Sequence, residues 1–112
     1  MLDPQLLFAI LTRTRDLIAQ GYCKVWYAVD SNDQPTGVSS PDACRWCPEG
    51  AFFRACSEHQ ATLTYARLLR NLEKFIPAPN GGMCLSTWSD LPTTTQADVL
   101  ALLSRAIVGA KP

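Results

Sequence analysis

Apolar residues recur at helical spacing in three stretches of the chain, and this pattern constrains the fold more than any other feature. Within each stretch they repeat every three or four positions, which places them on one face of a helix. The three stripes are Leu6, Leu7, Ile10, Leu11, Thr14, Leu17 and Ile18; Ala61, Tyr65, Leu68, Leu69, Leu72, Phe75 and Ile76; and Val99, Leu102, Leu103, Ala106 and Ile107. A chain of 112 residues can bury a continuous core. The pattern therefore predicts one domain, residues 1–112, in which helices pack around that core.

Capping signals predict where the helices begin and end. Pro4 in the first turn and Gly21 just past the last turn predict a helix over residues 3–20. Two further helix starts are marked by Ser57 with Gln60, and by Thr93 or Thr95 with Gln96 or Asp98 as its partner. A fourth helix is predicted to begin at the hydroxyl and proline residues of segment 39–42 and to contain the cysteines that follow.

The segment between the first two helices favours strand structure. Residues 23–29, CKVWYAV, are β-branched and aromatic, and the polar stretch DSNDQPTG after them is typical of a turn. Residues 36–38 are predicted to return as a second strand, and residues 83–85 as a further short one. The predicted fold class is therefore mainly α (α+β), with about four helices packed against a small β-hairpin.

Charge and hydropathy exclude several classes of protein. Ten basic and ten acidic residues give no net charge, so nucleic-acid binding is not expected, while association into a homo-oligomer is. No apolar run approaches the roughly 20 residues of a membrane span. The N-terminal segment lacks the basic start of a signal peptide, which predicts a cytoplasmic protein. The odd number of cysteines, five, then indicates reduced thiols and no disulfide framework.

The segment CRWCPEGAFFRAC, followed by the only histidine, raises the possibility of a metal site. Its potential zinc ligands are Cys44, Cys47, Cys56 and His59. On a straight helix, however, Cys56 lies on the opposite face from Cys47 and ~13 Å along the axis. The favoured interpretation is a helix without metal or cofactor, on which small residues let another helix approach closely. That stripe is Ala43, Cys47, Gly50, Ala51 and Ala55, and it is expected to dock against the first or last helix.

Two motifs resemble a known family. The pattern Trp46-Cys47-x-x-Gly50-Ala51-x-x-Arg54-Ala55, and later Trp88-Ser89-Asp90, is similar to the "WCxxGAxxRA" helix and "WND" loop of a family of small uncharacterised bacterial and phage proteins. The similarity covers residues 21–107, with Ser89 where the family tends to have Asn. The resemblance implies a bacterial or phage protein, located in the host cytoplasm if phage-encoded. It brings no established activity.

The resemblance also implies a candidate constellation of Trp46, Cys47, Arg54, Trp88 and Asp90. In one interpretation these residues are structural, with the tryptophans in the core and Asp90 bonded to loop amides or paired with Arg54. In the other they line a small-ligand pocket. Trp26 is a separate candidate, because an exposed tryptophan suits a binding surface.

These observations favour a small protein-binding or regulatory protein without catalysis, such as an inhibitor of a host machine, for example a defence system. One alternative is a zinc-stabilised module using Cys44, Cys47, Cys56 and His59. The other is a small-molecule binder or enzyme using Arg54, Asp90 and Cys47.

Overall fold

Five α-helices, a 3₁₀ turn and a two-stranded antiparallel sheet form the protein in a computed structural model, which describes residues 3–111. The elements in chain order are α1 (Pro4–Gln20), β1 (Ala28–Val29), β2 (Arg45–Trp46), α2 (Pro48–Glu58), the 3₁₀ turn (Thr62–Thr64), α3 (Tyr65–Glu73), α4 (Leu85–Ser89) and α5 (Gln96–Ala110). The predicted fold class, mainly α with a small hairpin, is confirmed.

Helix α1 lies at the centre of the core, where it packs against both α5 and α2. Its buried residues are Leu7, Ile10, Leu11, Thr14, Leu17 and Ile18, which all belong to the predicted stripe. The Asp3 side chain caps the helix by accepting a hydrogen bond from the Gln5 amide at 2.9 Å. Gly21 follows the last turn, as predicted, but in an extended conformation that any residue adopts. Glycine is needed there because a Cβ would overlap the Cys44 carbonyl.

Helix α5 begins at the second of the two predicted threonine caps. The Thr95 hydroxyl accepts a hydrogen bond from the Asp98 amide at 3.2 Å, and the Asp98 carboxylate accepts one from the Thr95 amide at 2.9 Å. This reciprocal pair is a capping box. All five residues of the predicted stripe are buried. Local capping chemistry thus determined the start of this helix, and the apolar stripe determined which of its faces is buried.

The predicted hairpin has the wrong strands. Only Ala28 and Val29 of the predicted first strand are in β1, and residues 36–38 are not the return strand. The partner is β2, with Ala28 opposite Trp46. The Trp46 backbone also bonds to the start of the loop after α1: its amide donates to the Gly21 carbonyl, and its carbonyl accepts from the Cys23 amide, each at 3.1 Å. These long-range bonds leave residues 24–27 as a loop.

The helix predicted from segment 39–42 begins later, at Pro48. Residues 40–43 form a turn, in which the Asp42 amide donates to the Ser40 hydroxyl at 3.1 Å. Because the sheet recruits Arg45 and Trp46, helix α2 starts only after them, with Cys47 as its N-cap. Cys44 and Cys47 therefore do not share a helix. As expected, α2 docks against α1, and Ala51 and Ala55 are fully buried.

The predicted helix start at Ser57 is also wrong, because Ser57 lies inside α2. Gln60 adopts a left-handed conformation (φ 55°) just past the helix end. The Gln60 amide donates to the Ser57 carbonyl at 3.1 Å, and the Ala61 amide to the Cys56 carbonyl at 2.8 Å. This pair of bonds is a Schellman motif, which ends a helix. The next α-helix begins only at Tyr65, after the 3₁₀ turn.

The predicted strand over residues 83–85 is replaced by helix α4. The Glu73 carboxylate at the end of α3 accepts a hydrogen bond from the Leu85 amide at 2.6 Å. Leu85 and Trp88 are buried on one side of this short helix, which packs against α2. Among residues 3–111, no helix has both the length and the apolar character required to cross a membrane.

Candidate functional site

A cleft of about 420 Å³ opens beside helix α2. Its walls come from the loop before β1, the loop before β2, the exposed side of α2 and the start of α3. The lining residues are Tyr27, Val38, Glu49, Gly50, Phe53 and Tyr65. None of the residues predicted as a binding site is among them. The cleft is the candidate functional site because aromatic walls surround a single charged group.

The aromatic walls and the carboxylate are held together by Tyr65. Its ring meets the Phe53 ring edge-on, with 5.1 Å between the ring centroids. Its hydroxyl donates a hydrogen bond to Glu49 Oε1 at 3.3 Å. Burial first, and then the nearby Glu49 charge, raise the pKa of the Tyr65 phenol above its usual range. Tyr65 therefore stays a protonated donor, and Glu49 is its acceptor.

The start of α2 positions the Tyr27 wall. The Cys47 amide donates a hydrogen bond to the Tyr27 carbonyl at 3.2 Å. Gly50 lies directly beneath that carbonyl, so closely that a Cβ on residue 50 would overlap it. The Cys47 sulfur in turn accepts a hydrogen bond from the Gly50 amide at 3.3 Å. Cys47 and Gly50, both from the Trp-Cys motif, therefore fix the position of the Tyr27 backbone in the cleft wall.

The same motif also holds the Val38 wall of the cleft, through hydrogen bonds to the Val38 carbonyl. Trp46 Nε1 donates a hydrogen bond to it at 3.0 Å, and the Arg54 guanidinium contributes a longer one at 3.4 Å. That guanidinium also lies over the Trp46 ring, 5.3 Å from its centroid, and pairs with Glu58 at 3.2 Å. Trp46 and Arg54 are thus supports of the Val38 wall and do not line the cleft.

Beside the cleft, three consecutive apolar side chains project into solvent. Val25, Trp26 and Tyr27, here called the ridge, are 73%, 52% and 59% exposed. Val25 has a positive φ of 75°, which is a rare and costly conformation for a β-branched residue. Asp90 Oδ1 accepts a hydrogen bond from the Val25 amide at 3.0 Å and so holds this conformation.

The Trp-Ser-Asp segment and the residue after it form hydrogen bonds with the ridge and the residues that precede it. Trp88 is buried, and the Tyr22 hydroxyl donates a hydrogen bond to the Ser89 carbonyl at 3.0 Å. Lys24 Nζ donates to the Leu91 carbonyl at 2.5 Å. The structure does not pair Arg54 with Asp90, since Arg54 binds Glu58 and Asp90 binds the Val25 amide. Of the predicted site residues, only Trp26 is a large exposed side chain.

The potential zinc ligands are spread along α2 and do not converge. Cys47 caps the start of the helix, Cys56 is buried near its end, and His59 caps the end. Residues 47 and 59 are separated by about 18 Å of helix axis. Cys44 precedes β2. In the described part of the chain, no three His, Cys, Asp or Glu residues are arranged to hold a metal ion.

The buried thiols are also poor nucleophiles. Burial is the main cause that raises the pKa of Cys47 to about 12, and burial alone raises the pKa of Cys56 to about 12. At neutral pH both sulfurs are protonated. The distance along α2 also keeps His59 from serving Cys47 as a base.

Sequence reasoning missed the cleft because its lining comes from four separate places in the chain. A partial signal was present: Glu49 and Phe53 are four residues apart, so on a helix they share a face. Tyr27 directly follows Trp26, which the sequence analysis names as a candidate binding residue. Nothing local, however, indicated that Val38 and Tyr65 would approach that face.

A family model, the family of unknown function DUF6197, matches residues 3–108, which include the whole ridge and the whole cleft. The chain belongs to the DUF6197 family. No curated protein and no solved structure matches it. The expectation of an uncharacterised family is thereby confirmed, and the family itself assigns no activity. The geometry of the ridge and the cleft therefore carries the functional argument.

Proposed function

We propose that this DUF6197 protein is a small binding or regulatory module without a catalytic step. It recognises a partner protein through the ridge, Val25 to Tyr27, and the adjoining cleft. The observation that carries this proposal is a ridge of exposed apolar side chains on a backbone held in a costly conformation.

The Val25 backbone is strained. A left-handed conformation costs a non-glycine residue about 1–2 kcal/mol. The Asp90 hydrogen bond offsets part of this cost, but the exposed Val25 and Trp26 side chains recover little of it through burial. Strain that is maintained without a packing benefit is typical of functional segments. Binding of a partner would bury these side chains.

The proposed origin, location and target of the protein are supported by the family-like motifs and the cysteines. The "WCxxGAxxRA"-like helix and the Trp88-Ser89-Asp90 segment support a bacterial or phage origin. The five unpaired cysteines are compatible with a reducing cytoplasm. A small protein with an aromatic ridge could act by occupying a surface of a larger machine, for example a host defence system. The predicted roles of the motif residues are then indirect: they hold the binding surface in shape.

The test compares capture of proteins by the wild-type chain and by two variants. Trp26→Ala removes the largest side chain of the ridge. Val108→Ala is the matched control. Val108 is also an exposed apolar residue (66%), and it lies on α5, which contributes no residue to the ridge or the cleft. Immobilised full-length proteins are incubated with bacterial lysate at raised salt, and bound proteins are quantified by mass spectrometry.

We expect one partner retained by the wild type and by Val108→Ala, and reduced at least about tenfold by Trp26→Ala, as for an interface hot spot. The reduction is then checked with the purified partner. A partner that binds Trp26→Ala and Tyr27→Ala as well as it binds the wild type would show that the ridge is not the binding surface.

A further inference from the structure

We infer that the cleft receives a basic side chain, lysine or arginine, of the partner protein. This inference rests on the proposed function and specifies the chemistry of the partner. It follows from the charge of the cleft, its aromatic walls and its continuity with the ridge.

The walls of the cleft present the groups that bind an organic cation. The rings of Tyr27, Phe53 and Tyr65 line it, and the faces of such rings attract ammonium and guanidinium groups. Tyr27 is 59% exposed and Phe53 is 40% exposed, so their rings are accessible from solvent. Aromatic rings alone would also accept an uncharged apolar group, so the choice depends on Glu49.

Glu49 is the one charged residue among those lining the cleft. Its Oε1 accepts the Tyr65 hydroxyl, and among residues 3–111 no donor bonds to Oε2. That oxygen is available to an incoming N–H group. Arg54, which also reaches the Val38 wall, is already engaged by Glu58 and the Trp46 ring. Within residues 3–111 the Glu49 carboxylate therefore has no cationic partner, and a ligand cation would complement it.

The cleft and the ridge form one surface because Tyr27 belongs to both. A polypeptide lying along the ridge would pass the mouth of the cleft at this residue. The cleft volume of about 420 Å³ is within the range of sites that hold a small organic group. One long basic side chain can therefore enter while the partner's backbone stays on the ridge.

The test titrates the full-length protein with two blocked amino acids of similar shape. Nα-acetyl-lysine methylamide carries the ammonium group, and Nα-acetyl-norleucine methylamide lacks it. Binding is followed by the amide NMR signals of Gly50 and Phe53. We expect saturable shifts with the lysine compound and about tenfold weaker binding of the norleucine compound.

Two variants that remove the same charge test the role of the carboxylate. Glu49→Gln keeps an acceptor for Tyr65 and is expected to abolish the preference for lysine. Asp16→Asn changes an exposed acid on α1 and is expected to leave the preference unchanged. Equal binding of both compounds to the wild type, or no binding of either compound at the cleft, would overturn the inference.

The captured partner separates this inference from the proposed function. If both are correct, Trp26→Ala and Glu49→Gln each weaken partner binding, the latter by about tenfold. Loss of binding with Trp26→Ala and full binding with Glu49→Gln would refute the basic side chain and leave the ridge as the binding surface. Full binding with both variants would refute the proposed function as well.

Discussion

Val25 is a β-branched residue with a positive φ, a conformation that its side chain disfavours. Its positive φ belongs to a three-residue turn, which the Trp26 amide closes by donating to the Lys24 carbonyl at 2.8 Å. The Val25 amide also donates to the carboxylate of Asp90, which lies 65 residues further along the chain. The family-like Trp-Ser-Asp segment thus bonds to a distant loop. At the residue scale, motif residues hold the backbone of the ridge and the cleft in place. Most of the side chains exposed there come from residues outside the two motifs.

Replacing Val25 by glycine should stabilise the protein. Glycine adopts a positive φ without steric cost, so relief of strain exceeds the entropy lost by the more flexible residue. We expect the free energy of unfolding to rise by about 0.5–1 kcal/mol, measured by urea denaturation. Val108→Gly, in a helix, should lower it by a few tenths of a kcal/mol. A loss at both positions would contradict the strain argument.

The five thiols should differ in their rates of alkylation. Cys84 is exposed, and its pKa is lowered, first by a hydrogen bond from the Thr87 hydroxyl. Burial raises the pKa of Cys47 and Cys56 to about 12. Near neutral pH, iodoacetamide should therefore modify Cys84 first, and the two buried thiols only after unfolding. Peptide mass spectrometry measures this order, and Cys84→Ser should remove the fastest phase.

Helix α2 serves the core with one side and the cleft with the other. Ala51 and Ala55 are fully buried in the core, whereas Glu49 and Phe53 face the cleft. Its first turn also carries the Tyr27 wall through Cys47 and Gly50. The element scale is where fold and site are coupled, because a change in the position of this helix start would move a cleft wall.

Gly50→Ala should therefore be strongly destabilising. The added Cβ meets the backbone of Tyr27, which cannot rotate away as a flexible side chain would. We expect a loss of about 2–4 kcal/mol in the free energy of unfolding, together with shifted amide signals around Tyr27. Gly37→Ala is the control, since a Cβ at Gly37 meets nothing within 4 Å, and its effect should stay within about 0.5 kcal/mol. Similar losses at both sites would refute the close approach.

At the scale of the whole molecule, a charge cluster joins α1 to α2. Glu58 accepts hydrogen bonds from Arg13 Nε at 2.8 Å and Arg54 Nε at 3.2 Å. The hydrogen bond from Arg13 is the largest cause that lowers the pKa of the Glu58 carboxyl. Because Arg54 also supports the Val38 wall, this cluster links the α1–α2 contact to the cleft.

Glu58→Gln should cost stability at neutral pH and little in acid. A carboxyl whose pKa is lower in the folded protein stabilises it above the unfolded pKa, about 4.3. That stabilisation is lost as the pH falls through the folded value. Since the cluster is partly exposed, we expect about 0.5–1 kcal/mol at neutral pH. Urea denaturation at both pH values measures the difference, with Asp42→Asn, at an exposed acid in the turn before β2, as the control. An equal loss in acid would exclude the charge as its cause.

The sequence by itself determined helices α1 and α5 and their buried faces. The stripes of α1 and α5 and the Pro4 and Gly21 ends were predicted, and Thr95 with Asp98 was one of the alternatives for the last cap. Each of these features depends on residues within a few positions of one another. The net charge and the absence of a long apolar run were equally readable. Helical spacing and capping act between residues that are close in the chain, so the structure they predict does not depend on distant contacts.

Only the tertiary structure decided the path of residues 22–47 and the existence of the cleft. The Trp46 backbone bonds to Gly21 and Cys23 and pairs with Ala28, and these contacts outweighed the turn and helix signals around it. The cleft then joins Tyr27, Val38 and Tyr65 to one face of α2. Such contacts depend on the energy of packing distant segments together, which no local pattern encodes.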